Sequence, residues 1–342
     1  MPIDEITGDS LDRAVSIEMR FSSGLPRGVV VPLYDAAREL AGGSMSYRAA
    51  AALKARVKRG DHVLVVTGAG TPPWLPKGET DGPLGAAAIA RAVEVGLGAK
   101  PILVGEERNL PSTIGATEAA GIVVVDETIF SQRTGAALAV PFPLGLEAGR
   151  RAATDLFARF SPTCVVFVEK GGPNERGVFH SILGSGRSPD EMANAHLLAD
   201  IAAEQGALTI GIGDGGNEIG CGGIIEAVHR VQPFGRVCKC PCGAGVATVT
   251  RCDHLVFASV SNWGAYAVAA ALGGLLDKPS VLHDTETELR MLHASLAGGA
   301  MDGAYATLIP FVDGTNAAVQ AGIITMLHQI VANGLMSYER GF

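Results

Sequence analysis

Short, almost wholly apolar runs alternate with helix-length segments along most of this chain. The runs are "HVLVVT", "PILVG", "GIVVVD", "CVVFVE", "LTIGIG" and "HLVFASV". They lack the in-and-out alternation of a half-exposed sheet, so both faces of each strand must be covered. The intervening segments carry helical spacing, as in "GAAAIARAVEVGLG", "GLEAGRRAATDLFARF" and "NWGAYAVAAALGGLL". A mostly parallel central sheet flanked by helices, a three-layer α/β fold, satisfies both patterns. The chain is large enough for such a core, with 342 residues of which 47% are hydrophobic and 18% charged.

Helix punctuation sharpens the outline. "LYDAARELA" stops at Gly42-Gly43, and a second helix starts at Ser44. A helix is expected over Pro189–Gln205, capped by Ser188, and two more close the chain around "TETELRMLHASL" and "NAAVQAGIITMLHQIVANG". Residues 1–32 show mixed polarity and no sustained period, so they read as a loosely attached N-terminal arm. Residues 33–342 read as a single large α/β domain.

Several function classes drop out. A net charge of −8 with 5% aromatic residues offers neither a basic stripe nor a base-stacking platform, so no nucleic-acid partner is expected. The N-terminus shows no signal-peptide core, and the run "AYAVAAALGGLL" is too short to span a bilayer, so a cytoplasmic protein without a membrane partner is expected. The Ala-rich apolar helices suit a homo-oligomer contact. Six cysteines in a chain of this length do not make a disulfide scaffold. Cys238, Cys240 and Cys242 in "CKCPC", with Cys252 beyond, read as reduced structural thiols. Their C-x-C-x-C spacing on one face of a hairpin departs from the paired C-x₂₋₄-C of zinc sites.

In an open α/β sheet, ligands bind beyond the carboxyl ends of the strands. The loop after "HVLVVT" carries Lys77, Glu79 and Asp81. After "CVVFV" come Glu169, Asn174, Arg176 and His180. The stretch "GIGDGGNEIGCGG" carries Asp214, Asn217 and Glu218, and "SNWG" carries Ser261, Asn262 and Trp263. Asp302-Gly303 and Asp313-Gly314 follow near the C-terminus.

Each of these residues also has a plain structural reading. Asp-Gly is a common turn, which covers Asp302 and Asp313. His180 reads equally as a half-buried histidine, Trp263 as a packed aromatic at a helix start, and His196 with Asp200 as a pair on a solvated or core-edge face. The pairs Glu79/Asp81 and Asp214/Glu218 exceed that background because both sit at strand ends. "GIGDGG" matches a dinucleotide fingerprint only formally, since its acid lies inside the loop, where it would repel a pyrophosphate. An oxygen-rich acidic edge suits a hard divalent cation, Mg²⁺ or Mn²⁺. Asp81, Glu169, Asp214, Glu218, Asp302 and Asp313 are its candidate ligands.

Five motifs together, "GETDGPLGAAAIARAVE", "VEKGGPNERGVFH", "TIGIGDGGNEIGCGG", "ASVSNWGAYAVAAAL" and the closing "GAMDG" with "VDG", resemble the D-glutamate cyclase C-terminal-like family. The resemblance spans roughly residues 33 to 335, and "GDGGNEIG" with "SVSNWG" is its most specific part. It implies a stand-alone member, without the extra N-terminal domain of fused members, and a metal-binding fold similar to DHH-type phosphoesterases. It also implies a hydro-lyase that converts D-glutamate to 5-oxo-D-proline and water.

For that reaction Glu218, Asp214 and Glu79 are the expected catalytic groups, with Glu218 or Glu79 as general base. Lys77, Arg176, Asn217, Ser261, Asn262 and His180 are the expected contacts to an acidic amino acid. A metal-dependent phosphohydrolase using the same carboxylates is the rival reading, and an amino-acid-binding protein without turnover is the third.

Overall fold

The computed structural model describes residues 2–20, 25–70 and 72–336. Residues 1, 21–24, 71 and 337–342, at the ends of the expected arm and domain and in one loop, lie outside the description. Nine strands matter here: β1 (His62–Thr67), β2 (Lys100–Gly105), β3 (Val123–Val125), β4 (Ala136–Pro141), β5 (Cys164–Val168), β6 (Phe179–His180), β7 (Gly186–Arg187), β8 (Leu208–Gly213) and β9 (His254–Phe257). Seven of them form one sheet in the order β3-β4-β2-β1-β5-β8-β9, and every pairing in it is parallel. β6 and β7 form a separate short antiparallel hairpin.

Along each central strand, alternate side chains enter different cores. Val63 and Val65 of β1 join Val166 and Val168 of β5 on one side. Leu64 and Val66 join Val165 and Phe167 on the other. The first core is covered by α1 (Glu5–Val15), α2 (Val30–Ala41), α3 (Met45–Arg56), α4 (Pro83–Arg91) and α5 (Leu110–Ala119). The second is covered by α6 (Glu127–Gln132), α7 (Leu146–Phe160) and α8 (His196–Gln205). α9 (Ile225–Val231), α10 (Ser261–Leu275), α11 (Thr285–Ala297) and α12 (Ala317–Leu335) return to the first side. This is the three-layer α/β arrangement, and burying each strand Val or Leu contributes about 1.5–3 kcal/mol.

α10 is buried over its whole length. Trp263, at its first turn, is enclosed and donates from Nε1 to Gln320 Oε1 of α12 at 2.8 Å. That indole is a packing element, as its place at a helix start suggested.

Four local expectations need correction. The N-terminal region is not loosely attached: α1 starts at an Asp4 cap and buries Leu11 and Val15 against α3, α10 and α12. Asp12, inside α1, accepts from the backbone N–H groups of Met45 and Ser46 at the start of α3, so a polar tie joins the two helices. Ser188 caps only the short turn Pro189–Glu191, because Asn194 then bonds the carbonyls of Pro189 and Met192 and delays α8 to His196. β4, α5 and α6 were not anticipated from the sequence. Finally, α12 is long and apolar enough to cross a membrane by length and composition alone. In the fold it lies at the core edge, with Ile323, Ile324, Leu327 and Val331 turned inward.

Candidate active site at the strand ends

β1 lies mid-sheet; the chain adds strands on its β2 side, then crosses to continue from β5. The loops leaving β1 and β5 therefore diverge, which is the topological switch point where open α/β sheets bind ligands. A cavity of about 450 Å³ opens there. Its polar lining includes Arg20, Glu79, Glu169, Asp214, Glu218 and Asp313, while Trp74, Leu75, Ile182, Leu183 and Met192 supply apolar wall.

Two helices start beside this cavity and cap each other. Asp81 precedes α4, and its carboxylate accepts from the N–H groups of Ser261 (2.9 Å) and Asn262 (2.8 Å), the first turn of α10. Asn262 in turn accepts on Oδ1 from Gly82 (2.9 Å) and Gly85 (2.7 Å), the first turn of α4. Its Nδ2 donates to the Thr80 carbonyl. Each helix end thus satisfies its orphan donors with a side chain borrowed from the other. The motifs "ETDG" and "SNWG" are two halves of one clasp.

Glu169 ends β5 with φ +46°, in the left-handed region that disfavours a side chain. That turn aims its carboxylate at the cavity, where Ser261 Oγ donates to it at 2.5 Å. Glu218 closes the glycine loop. Its two oxygens accept from Gly215 N–H (3.0 Å) and Gly216 N–H (2.8 Å). Gly216 sits at φ +104°, and a Cβ on Gly213 would come within 2.8 Å of the Glu218 carboxylate. The glycines therefore let the loop fold onto its own acid rather than around a phosphate.

Charge is unbalanced here. Glu79 and Glu169 reach half-buried into the cavity, and Asp81, Asp214 and Glu218 are buried. Burial, reinforced by Asp313 and Asp81, raises the Glu79 carboxyl well above its ordinary value. Burial with Asp214 and Glu218 does the same to Glu169, and burial with Asp313 and Asp214 to Asp81. Asp214 is likewise raised by burial, even though Arg20 pulls it down. The Arg20 side chain, 5% exposed, lies 2.9 Å from both Asp214 and Asp313. Burial lowers its own pKa, but Asp214 and Asp313 outweigh that and hold it charged.

Two carboxylate triads share Asp214: Asp81–Asp214–Asp313, which Arg20 bridges, and Glu169–Asp214–Glu218. Within each, the donor oxygens lie within 4.8 Å of one another. Carboxylate oxygens at that spacing could hold a metal ion.

Of the expected contacts, Asn217 lines the cavity, and its Oδ1 is buried without a hydrogen-bond partner. Ser261 and Asn262 serve the clasp. His180 lines the cavity, but its Nε2 turns toward Cys240 and Cys242. Asp302 spends its carboxylate on the N–H groups of Tyr305 and Gly314, as a turn residue does. Lys77 and Arg176 are exposed and lie outside the cavity lining. The arginines that do line it are Arg20 and Arg187, which sequence reasoning missed. It also missed Lys170, buried with its ammonium 2.7 Å from Glu106 and donating to the Gly68 carbonyl at the root of the β1 loop.

The fold is a parallel three-layer α/β sheet with carboxylates gathered over its switch point. More narrowly, the chain belongs to the D-glutamate cyclase-like, C-terminal family, whose model matches residues 33–328. A 67-residue segment is 46% identical to the human protein named D-glutamate cyclase, mitochondrial. That segment is 20% of this chain and 10% of the human protein.

Proposed function

We propose that the chain is a hydro-lyase that closes D-glutamate to 5-oxo-D-proline with loss of water, assisted by Mg²⁺ or Mn²⁺. The observation that carries this reading is the set of carboxyls with raised pKa around a cavity large enough to admit an amino acid, in a chain of this family.

In the reaction, the α-amino nitrogen bonds to the γ-carboxyl carbon and one C–O bond of that carboxyl breaks. The two protons lost by the ammonium leave with the oxygen as water, so none is gained or lost overall. The site must therefore carry protons from nitrogen to departing oxygen. A carboxyl with a raised pKa does this near neutrality, and Glu79 is assigned that role. Glu169, oriented by Ser261, is placed to take up the second proton. Asn217 Oδ1 accepts from the substrate ammonium, and the Arg20 and Arg187 guanidinium groups attract the α-carboxylate.

Glu218 is assigned to holding the glycine loop, each of its oxygens accepting one loop N–H. The half-buried apolar wall at Leu75, Ile182 and Met192 keeps the substrate folded and competing water out. A divalent cation would be held by Asp214 and Glu218 of the second triad and would supply polarisation of the γ-carboxylate.

The sharing of Asp214 between two triads also favours a second reading, a phosphohydrolase with two metals. Incubation with D-glutamate or with phosphomonoesters, with and without Mn²⁺, separates the two. The cyclase reading expects 5-oxoproline from D-glutamate and no phosphate release. Phosphate without 5-oxoproline establishes the rival, and neither product rejects both.

A further inference from the structure

The cysteine run does not form a hairpin. Cys238, Cys240 and Cys242 lie in an irregular segment that bends at Cys240 and turns at Cys242, which gathers three thiols that a strand would have lined up. Their Sγ atoms are 3.4 Å (238–240), 3.3 Å (238–242) and 3.3 Å (240–242) apart. The imidazole of His180, from β6, completes the group, with Nε2 3.3 Å from Cys240 Sγ and 3.6 Å from Cys242 Sγ. One donor atom from each of the four lies within 4.8 Å of the others.

We propose that His180, Cys238, Cys240 and Cys242 form a closed Cys₃His zinc site, distinct from the carboxylate cavity. Four donors around one point is the set that structural zinc takes, at roughly 2.3 Å for sulfur and 2.0–2.1 Å for nitrogen. Tetrahedral sulfurs at that distance stand about 3.8 Å apart, so the observed group needs to open by only a few tenths of an ångström. A disulfide among these thiols would use two and leave the third with the histidine unexplained.

The surroundings prepare the ligands. His180 Nδ1 lies 3.1 Å from the Val178 carbonyl, which fixes the tautomer with Nε2 free to coordinate. Asn174, buried, donates from Nδ2 to Cys242 Sγ at 3.4 Å and to the Gly245 carbonyl at 2.8 Å. A Cβ on Gly186 would stand 2.7 Å from Cys240 Sγ, so only glycine there lets β7 approach the thiol.

The site ties the β6–β7 hairpin to the 234–246 segment, where Lys239 N–H also donates to the Gly184 carbonyl. Ser181, Ile182, Leu183 and Ser185 of that hairpin line the cavity. Zinc therefore acts as a positioning element for one cavity wall, whatever reaction the cavity performs.

The direct test is metal analysis with zinc-edge X-ray absorption on the intact protein as purified. About one zinc per chain, in a shell of three sulfurs and one nitrogen, is expected. Zinc in an all-oxygen shell, or a folded protein with no zinc that takes up none when it is supplied, overturns the assignment. Cys240→Ser is expected to lose most of the zinc and to gain protease sensitivity in the hairpin, whereas Cys252→Ser keeps both at the wild-type level. Equal zinc in the two variants also overturns it. Should Cys240→Ser fail to fold, the absorption spectrum of the wild-type protein still decides.

Discussion

The cavity and the thiol corner meet at one residue. The His180 carbonyl accepts from Asn217 on the cavity side at 3.0 Å, while its imidazole faces the three cysteines. The two neighbourhoods are built in opposite ways. The acidic one draws Arg20, Glu79, Glu169, Asp214 and Asp313 from five distant segments and restrains its acids with helix-end and loop N–H groups. The soft one draws three of its four members from five consecutive residues. Hard oxygens around an open cavity suit turnover, whereas soft donors closed on themselves suit structure. Loss of a cavity acid should cost activity and leave the fold intact; loss of the buried Arg20 should cost stability as well, and loss of a thiol should loosen a wall.

The largest effect is expected from Glu79→Gln, which removes the proton carrier and keeps the volume. Cyclase kcat should fall roughly 10²- to 10⁴-fold with an unchanged urea midpoint. Wild-type turnover would remove Glu79 from the mechanism. Next comes Arg20→Ala, which strands Asp214 and Asp313. Loss of one partner from a buried pair costs about 3–5 kcal/mol, readable by urea unfolding, and a loss under about 0.5 kcal/mol would show that the arm does not hold the site.

The pH dependence is smaller, and its sign follows from the raised carboxyls. Glu79, Asp81, Glu169 and Asp214 all lie well above their ordinary values of 4.5 and 3.8. The folded chain thus holds more protons than the unfolded one. Its stability is full below those ordinary values and falls as pH rises through the folded ones. Mn²⁺ favours the ionised forms, so the Tm gain on adding it should be larger at about pH 8 than at about pH 5. Equal gains would contradict a metal on these acids. Smallest of all, Lys77→Ala and Arg176→Ala should leave KM unchanged and stability within about 0.5 kcal/mol, since both side chains lie outside the cavity.

The same contrast explains what the sequence made legible. Fully buried strands announce themselves as continuous apolar runs, so the order of the central elements could be read. β4, as "AALAVP", is rich in alanine and ends in proline, too weakly apolar to stand out, and α5 and α6 beside it went with it. The loops bearing Glu79, Glu169 and Asp214 could be placed because strand ends are local facts. Which side chain in a loop turns inward is not local, and Lys77 and Arg176 were assigned from the right loops in the wrong direction. Arg20 carries no sequence signal, because its partners Asp214 and Asp313 are 194 and 293 residues away. His180 and Cys240, 60 residues apart, are brought together only by the β6–β7 hairpin.

The central claim, that glutamate closes in the carboxylate cavity at the switch point, is tested most directly by a crystal structure grown with Mn²⁺ and 5-oxo-D-proline. The account predicts the lactam ring between the 68–79 and 213–218 loops, its carboxylate near Arg20 or Arg187, and an anomalous manganese peak on Asp214. A ring bound elsewhere, or an empty cavity with manganese absent from Asp214 at saturating concentrations of both, would contradict it.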